Sequence, residues 1–381
     1  QADGEFKEVN ESEQLQEGMY MIGQVATLRD QVISISDLHE TVANGSSKWL
    51  AEQSSEYNEP EINKQPSDIA IIGIGTLLPG AQSAQDYWKN IIKKVYAISE
   101  IPPGRWDWRL YYDPDPKARD KVYSKWGGFI GDVPFNPLKF GIPPNSLKSI
   151  EPMQLLALAV VQQALEDAGY EDGEFDRANT SVVLGAGGGL GDLGQHYGVR
   201  SEVNRFVEAP SDEIWERLPE WTEESFAGLL LNVMAGRVAN RFDLGGVNYT
   251  VDAACASSLA AIYHAVHELE SGRANVAIAG GVDTIQNPFA YLCFSKTSAL
   301  TPGGVPRTFD KKADGIVISE GLAVVVLKRL ADAERDGDRI YAVLKGVSGS
   351  SDGKALGMTA PLPRGQMRAL RRAYDKAGFS P

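Results

Sequence analysis

Cysteine is scarce. Cys255 and Cys293 are the only two among 381 residues, and they form no Cys-x-x-Cys pair. A disulfide framework and a cysteine zinc site are therefore excluded, no metal site is expected, and a reducing, cytoplasmic setting is the expectation. Long apolar runs are also lacking. The longest pure run, Leu155–Val161, falls far short of the ~20 residues of a membrane span. No membrane span and no signal segment are expected. Basic charge is in deficit, with 37 Lys and Arg against 51 Asp and Glu, a net charge of −14. A nucleic-acid partner would need clustered cations, so none is expected. The absence of short-period repeats and low-complexity tracts excludes rods, collagen and solenoids.

What remains is an ordinary globular composition, 43% apolar and 23% charged, with room for more than one domain. Glycine is abundant at 39 of 381 residues, about 10%, above the usual ~7%, which suggests tight turns and close backbone approaches. Residues 1–57 are polar and acidic, with helices expected near Glu11–Val25 and Ile35–Glu52. Residues 58–67, with Pro60 and Pro66, read as a linker. A different pattern starts at Asp68. Apolar strands are expected at 69–75, 180–185, 247–252, 276–281, 321–330 and 341–348. Helices are expected at 84–94, 151–168, 229–239, 256–270 and 364–377. Buried all-apolar strands alternating with helices indicate an α/β fold with a mostly parallel or mixed sheet.

The sharpest chemical feature is Val247-Asn248-Tyr249-Thr250-Val251-Asp252-Ala253-Ala254-Cys255-Ala256-Ser257-Ser258-Leu259. A strand ends, small residues follow, and a helix begins. Cys255 would sit at the strand-to-helix turn, where unpaired N–H groups and the helix dipole favour the nucleophilic thiolate. Its own N–H could face a developing oxyanion. A buried structural cysteine fits the spacing equally well. Cys293 stands among Phe289, Tyr291, Leu292 and Phe294 and is expected in the core. The run Gly185-Ala186-Gly187-Gly188-Gly189 lacks the Lys-Ser/Thr of a phosphate loop and is expected to be a turn packed close to another element. The four histidines offer no convincing partner for a thiol. His264 and His267 lie too far down the helix after Cys255, His196 is expected in a solvated loop, and His39 is in the N-terminal segment.

From Asp68 to Pro381 the chain resembles the β-ketoacyl synthase domain of iterative polyketide and polyunsaturated fatty acid synthases. The resemblance rests on an ordered series of stretches. These are Ile69–Gly75 with Pro79-Gly80, Leu165-Glu166-Asp167-Ala168-Gly169, Thr250–Leu259, Gly280-Gly281-Val282 and Phe294-Ser295-Lys296. Leu300-Thr301-Pro302-Gly303-Gly304, Arg307-Thr308-Phe309-Asp310, Ala313-Asp314-Gly315, Glu320-Gly321, Ser350-Ser351-Asp352-Gly353 and Thr359-Ala360-Pro361 follow.

The resemblance implies an α/β thiolase-like fold, layered αβαβα, with its first half and the start of its second half present. It implies a decarboxylating acyltransferase. Cys255 would accept an acyl chain from the 4'-phosphopantetheine arm of an acyl carrier protein and pass it to a decarboxylated malonyl unit. It implies no cofactor of its own, a homodimer, and acyltransferase and reductase domains as neighbours in a multienzyme. Phe294 is a candidate wall of the acyl tunnel. A basic patch for an acidic carrier could draw on Arg237, Arg241 and Lys296. The family's His-Gly-Thr-Gly-Thr and Asn-Ile-Gly-His motifs do not occur. With Gln1 at one end and Pro381 at the other, the expectation is a piece of a longer polypeptide. The alternative is a non-catalytic dimerisation and carrier-docking half. A thiolase would need a second catalytic cysteine. Met19–Ala26 with Asp37-Leu38-His39 resembles the tail of a flavin-dependent enoyl reductase. Ser319 stands where the family usually has Gly, and Ile150-Glu151-Pro152-Met153-Gln154 replaces a Met-Asp-Pro-Gln-Gln pattern.

Overall fold

The computed structural model describes residues 33–45, 48 and 68–380, apart from 172–173, 188–190, 355–356, 358–359 and 379. The chain divides into two units, Gln1–Ile62 and Asn63–Pro381. In the first, α1 (Ile35–Glu40) starts where the Ser34 hydroxyl accepts the Asp37 N–H, a standard N-cap. It runs on as a single π-turn over Thr41–Gly45. The helix expected at Glu11–Val25, the linker at 58–67 and the stretch Met19–Ala26 lie outside the described residues.

The second unit opens with β1 (Ile69–Leu77), α2 (Ala84–Lys93), β2 (Ile98–Glu100), β3 (Trp126–Gly128) and α3 (Pro152–Asp167). Next come β4 (Thr180–Ala186), α4 (Asp192–Phe206), α5 (Asp212–Glu216), α6 (Ser225–Leu229) and α7 (Leu231–Phe242). They are followed by β5 (Asn248–Val251), α8 (Ser257–Glu270), β6 (Val276–Asp283) and α9 (Pro288–Lys296). β7 (Gly321–Arg329), α10 (Leu330–Asp336), β8 (Ala342–Leu344) and α11 (Pro363–Ala377) complete it. Six strands form one mixed sheet in the order β5-β4-β6-β7-β1-β8, and β2 pairs with β3 apart from it. β4 runs parallel to β5 and β6, whereas β7 is antiparallel to β6 and β1, and β8 is antiparallel to β1. The carboxyl ends of β5, β4, β6 and β1 therefore share one rim.

The apolar strands are buried on both faces because helices cover both. On one face Ala70, Ile72, Val182, Leu184, Ile278, Val324 and Val326 pack with Val160, Val161 and Ala164 of α3 and Met234 and Val238 of α7. On the other, Ile69, Ala277, Ala279 and Leu327 pack with Ala265, Val266 and Leu269 of α8. Each fully buried Val, Leu or Ile contributes about 1.5–3 kcal/mol. The alternating glycines of β1 have a specific use. A Cβ on Gly73 would lie 2.3 Å from the Ala164 carbonyl oxygen, and one on Gly75 would lie 2.0 Å from that of Val160. α3 thus rests on bare strand backbone. At its far end, Asp167 accepts the Ile74 N–H at 2.9 Å, just past the register shift between Ile71 and Gly73 in the pairing of β1 with β7.

The structure departs from expectation where propensity is weak. α4, α5 and α9 occupy stretches that carry no clear helical pattern, and β2 and β3 are too short to leave one. The helix expected at 229–239 is α7, which starts two residues later at Leu231, while Leu229 ends the separate α6. β8, within the strand expected at 341–348, pairs with β1 at the edge of the same sheet.

Candidate functional site

Cys255 sits on a single 3-10 turn, Ala254–Ala256, between β5 and α8. Its side chain is exposed. The turn is held in an unusual shape. Ala254 has φ +49°, the left-handed region that residues with a Cβ rarely adopt. Two side chains enforce it. Asp252 Oδ1 accepts the Ala254 N–H at 2.8 Å. The Ser257 hydroxyl accepts the Ala253 N–H at 2.9 Å and donates to the Ala254 carbonyl at 2.7 Å. Asp252 and Ser257 thus clamp the turn from either side and lift Cys255 to its apex. No acceptor among the described residues takes the Cys255 N–H, which leaves that donor beside its own sulfur.

The start of α8 is seated by two glycines. A Cβ on Gly185 of β4 would lie 2.3 Å from the Ser257 carbonyl carbon and oxygen. One on Gly281 of β6 would lie 2.6 Å from the Ser258 Cβ. The helix entrance therefore lies directly on the carboxyl ends of two strands. Gly185 meets the expectation of a close approach, while Gly187 has open space and Gly188 and Gly189 are outside the described residues. The clamp and its seat go beyond what the sequence reading expects. Their signal is local, an Asp two residues before and a Ser three residues after the left-handed Ala254, the pattern of Asx- and Ser-type turns.

The two histidines of α8 stay away from the thiol. His264 is exposed on α8 against Tyr249 and Tyr263. His267 packs on Tyr263 and lies 3.3 Å from a Glu270 oxygen. At 1.5 Å of rise per residue, the nine residues from Cys255 to His264 span about 13 Å. His196, expected in a loop, is instead on an exposed position of α4, whose other face buries Gly194 and Tyr197. His39 is exposed on α1.

Three further expectations are corrected or refined. Cys293 is exposed, not buried. On α9 the inward positions are Tyr291 and Ser295, and Cys293 turns outward with Phe289, which is 56% exposed. Bulky neighbours in sequence do not bury a helical residue when they lie on other faces. Arg237 does not belong to a surface basic patch. Its side chain is 9% exposed, Nε donates to Gln154 Oε1 at 3.0 Å, and Glu224 lies 3.7 Å away. Burial pushes its pKa below the usual arginine value. Gln154 in turn donates to the carbonyls of Ala227, Gly228 and Leu230, so the pair ties α3 to α6 and α7. Arg241 and Lys296 are exposed, and Lys296 donates to the Ala118 carbonyl. Phe294 is half-buried against a cluster of Ile101, Val122, Tyr123, Tyr291 and Leu300.

A cleft of about 290 Å³ opens at the same rim, on the α3 side. Leu155 and Leu156 form one wall, and Ile130, Val133 and Phe135 another. Its polar lining is built around Glu320, which is 4% exposed. Glu320 accepts the Ile130 N–H at 2.7 Å and pairs with Arg105 at 2.8 Å. Burial raises its pKa, and those two partners oppose the rise. Glu151 is equally buried and accepts the Gly194 N–H at 2.8 Å, capping the first turn of α4. Burial raises its pKa as well, and neighbouring Asp192 adds to the shift. The Glu that departs from the family's Asp is thus a helix cap. Its carboxylate fills the space beside Gly191, where a Cβ would lie 2.4 Å from Oε2.

The beta-ketoacyl synthase N-terminal domain matches residues 66–333, and the chain belongs to that family. One of the polypeptides of the polyunsaturated fatty acid synthase of Thraustochytrium sp. is 39% identical over 325 residues, which are 82% of this chain and 12% of that protein. Polyketide synthase PksN of Bacillus subtilis is 36% identical over 327 residues, 85% of this chain and 6% of that protein. Among solved structures, the Streptomyces albus oxazolomycin ketosynthase domain OzmH KS7 superposes with a TM-score of 0.71 at 32% identity, covering 82% of this chain and 51% of that one. The ketosynthase from module 6 of the Bacillus subtilis bacillaene synthase gives 0.67 at 31% identity, with 82% and 49% covered. The fold is the thiolase-like fold of ketosynthase domains. The chain spans about half of the solved ketosynthases it matches and a small fraction of the curated relatives. Among the described residues no helix is long and apolar enough to cross a membrane.

Proposed function

We propose that this chain carries the acyl-accepting machinery of a β-ketoacyl synthase and that Cys255 is its nucleophile. The observation that carries this reading is the clamped turn. An exposed sulfur stands at the mouth of a helix, beside an N–H with no acceptor among the described residues, on a backbone strained into place by Asp252 and Ser257. The Cys255 sulfur attacks the carbonyl carbon of an acyl thioester on a carrier's phosphopantetheine arm. A new C–S bond forms, the carbonyl oxygen takes the negative charge, and the Cys255 N–H meets it. Collapse breaks the old C–S bond, and the carrier's thiol leaves with a proton. In the second half-reaction, malonyl-carrier loses carbon dioxide. The resulting carbanion attacks the enzyme thioester and expels the Cys255 thiolate, leaving a β-ketoacyl carrier two carbons longer. Family membership supports that second half-reaction, and the two histidines of α8 lie too far along the helix to assist it.

The partners follow from the same reading. They are an acyl carrier domain and the acyltransferase and reductase domains of a multienzyme, in the cytoplasm. A second copy of the chain is the proposed partner for β5, which ends the sheet with one side of its backbone unpaired. The segment before residue 58 is proposed as the tail of an upstream reductase.

The test is acyl loading. The full chain is incubated with a short acyl thioester or with cerulenin, and the adduct is located by peptide mass mapping. Modification of Cys255 is expected, with loss of loading in Cys255→Ala. Because both cysteines are exposed, modification of Cys293 with Cys255 untouched would overturn the assignment.

A further inference from the structure

The turn that carries Cys255 holds a single charge, and its sign is unexpected. From Tyr249 to Tyr263 the only charged side chain is Asp252. It is exposed, and its Oδ1 accepts the Ala254 N–H at 2.8 Å. Among the described residues no Lys, Arg or His forms an ion pair with it. The Ala254 and Cys255 nitrogens are three covalent bonds apart, at most about 4.3 Å. Asp252 Oδ1 therefore lies within about 7 Å of the Cys255 nitrogen, whose N–H is the donor proposed for the oxyanion.

A thiolate is favoured by neighbouring cations and disfavoured by neighbouring anions. An uncharged Asn or Ser at position 252 forms the same kind of local turn and accepts the same N–H. The carboxylate thus adds a charge that the clamp does not need and that the nucleophile does not favour. Its effect falls on whatever approaches the sulfur. An uncharged acyl group is indifferent to it, and one that carries a carboxylate is repelled. Two like charges about 7 Å apart change a rate by about threefold even at the dielectric constant of water, and by about tenfold or more near a protein surface.

We propose that Asp252 selects the acyl group at the loading step, admitting uncharged acyl chains to Cys255 and turning away those that bear a carboxylate, malonyl units included. The proposal rests on the acyl-accepting reading of Cys255 and adds the residue that sets the charge class of its substrate. It also keeps the two half-reactions apart. The extender unit, an anion until it loses carbon dioxide, does not occupy the sulfur that holds the growing chain.

The experiment is competitive loading of the full chain with butyryl and succinyl thioesters of N-acetylcysteamine. The two acyl groups have equal numbers of carbons and differ in the terminal carboxylate. Cys255 takes the acyl group, and N-acetylcysteamine leaves as the thiol. Intact mass and peptide mapping give the ratio of the two adducts. The wild type is expected to favour butyryl by about tenfold at low salt. That ratio is expected to shrink by about threefold in about 1 M sodium chloride, where charges are screened within about 3 Å. Asp252→Asn keeps an oxygen for the Ala254 N–H and removes the charge, and the low-salt ratio is expected to fall by about fivefold. Asp252→Ser is the second uncharged clamp should the asparagine variant fail to fold, and the salt series on the wild type needs no variant. The ratio is the readout because a purely structural role for Asp252 slows both thioesters alike. No preference in the wild type, a preference indifferent to salt, or a preference unchanged in the folded variant overturns the proposal and leaves the nucleophile assignment standing. No loading of Cys255 by either thioester overturns both.

Discussion

The two cysteines make an instructive pair. Both are exposed, so access to solvent does not distinguish them. Their backbones do. Cys293 lies inside α9, where its carbonyl accepts the Thr297 N–H at 3.1 Å as part of an ordinary helix. Nothing in its surroundings holds the sulfur toward a particular target. Cys255 lies at the apex of a turn whose left-handed Ala254 is tied by Asp252 and Ser257 and whose helix is seated on Gly185 and Gly281. The proposed nucleophile is thus set apart from Cys293 by the backbone that presents it, with strain kept at one residue.

The largest effect should come from removing one sulfur and then the other. Cys255→Ala is expected to lower acyl loading by at least about 10³-fold, because no second nucleophile stands on that turn. Cys293→Ala is expected to leave loading within about twofold. Stopped-time mass spectrometry of the acylated protein reads both. If the two variants lose loading equally, the contrast between the sites fails.

The seat of the helix gives the next effect. Gly185→Ala pushes a methyl into the Ser257 backbone, where strand and helix would both have to move. A loss of about 2–3 kcal/mol in unfolding free energy by urea denaturation is expected. Gly187→Ala meets nothing within 4 Å and should be close to neutral. Equal stability of the two variants would show that the close approach is not what fixes the turn.

A smaller effect tests the clamp itself. Ser257→Ala frees the Ala253 N–H and the Ala254 carbonyl and removes the brace on the left-handed residue. Stability should fall by about 1 kcal/mol, as for a lost helix cap. Loading at Cys255 should slow by about tenfold more than the stability change explains, because the sulfur is no longer held in place. Thiol labelling at Cys293 should be unaffected, which separates a local change from general loosening.

The comparison also shows what a sequence displays and what it hides. The sheet was legible because strands buried on both faces must be apolar throughout, as in Ile69–Leu77 and Thr180–Ala186. The turn that presents Cys255 was legible because a strand, small residues and a helix follow one another within a dozen positions. The exposure of Cys293 was not, since it depends on which side of α9 faces the protein, and α9 has apolar residues all round. The burial of Arg237 was hidden for a related reason. A charged residue enters the interior only when a partner such as Gln154, distant in sequence, is waiting there. The cleft was invisible because its walls come from α3 and from loops after β3, β4 and β6 that only the fold assembles.

The smallest effect sharpens the contrast between a strained turn and a merely buried group. Glu151 caps α4 while sitting out of water, and burial raises its pKa above the usual carboxylate value of 4.5. The folded protein therefore keeps this proton to a higher pH than the unfolded chain does. Between the two values unfolding releases a proton, so the contribution of Glu151 to stability is present below the unfolded pKa and declines as pH rises through the folded one. Glu151→Gln retains an oxygen for the Gly194 N–H and removes the titration. The variant should show a flatter stability–pH profile than the wild type from about pH 4.5 upward and should gain relative to it toward neutrality, as measured by thermal melts across that range. Acyl loading at Cys255 should not change, because the clamp of Asp252 and Ser257 does not involve Glu151. A parallel pH dependence in the two proteins would mean that the Glu151 carboxylate is better solvated, and the cap better served by charge, than its burial indicates.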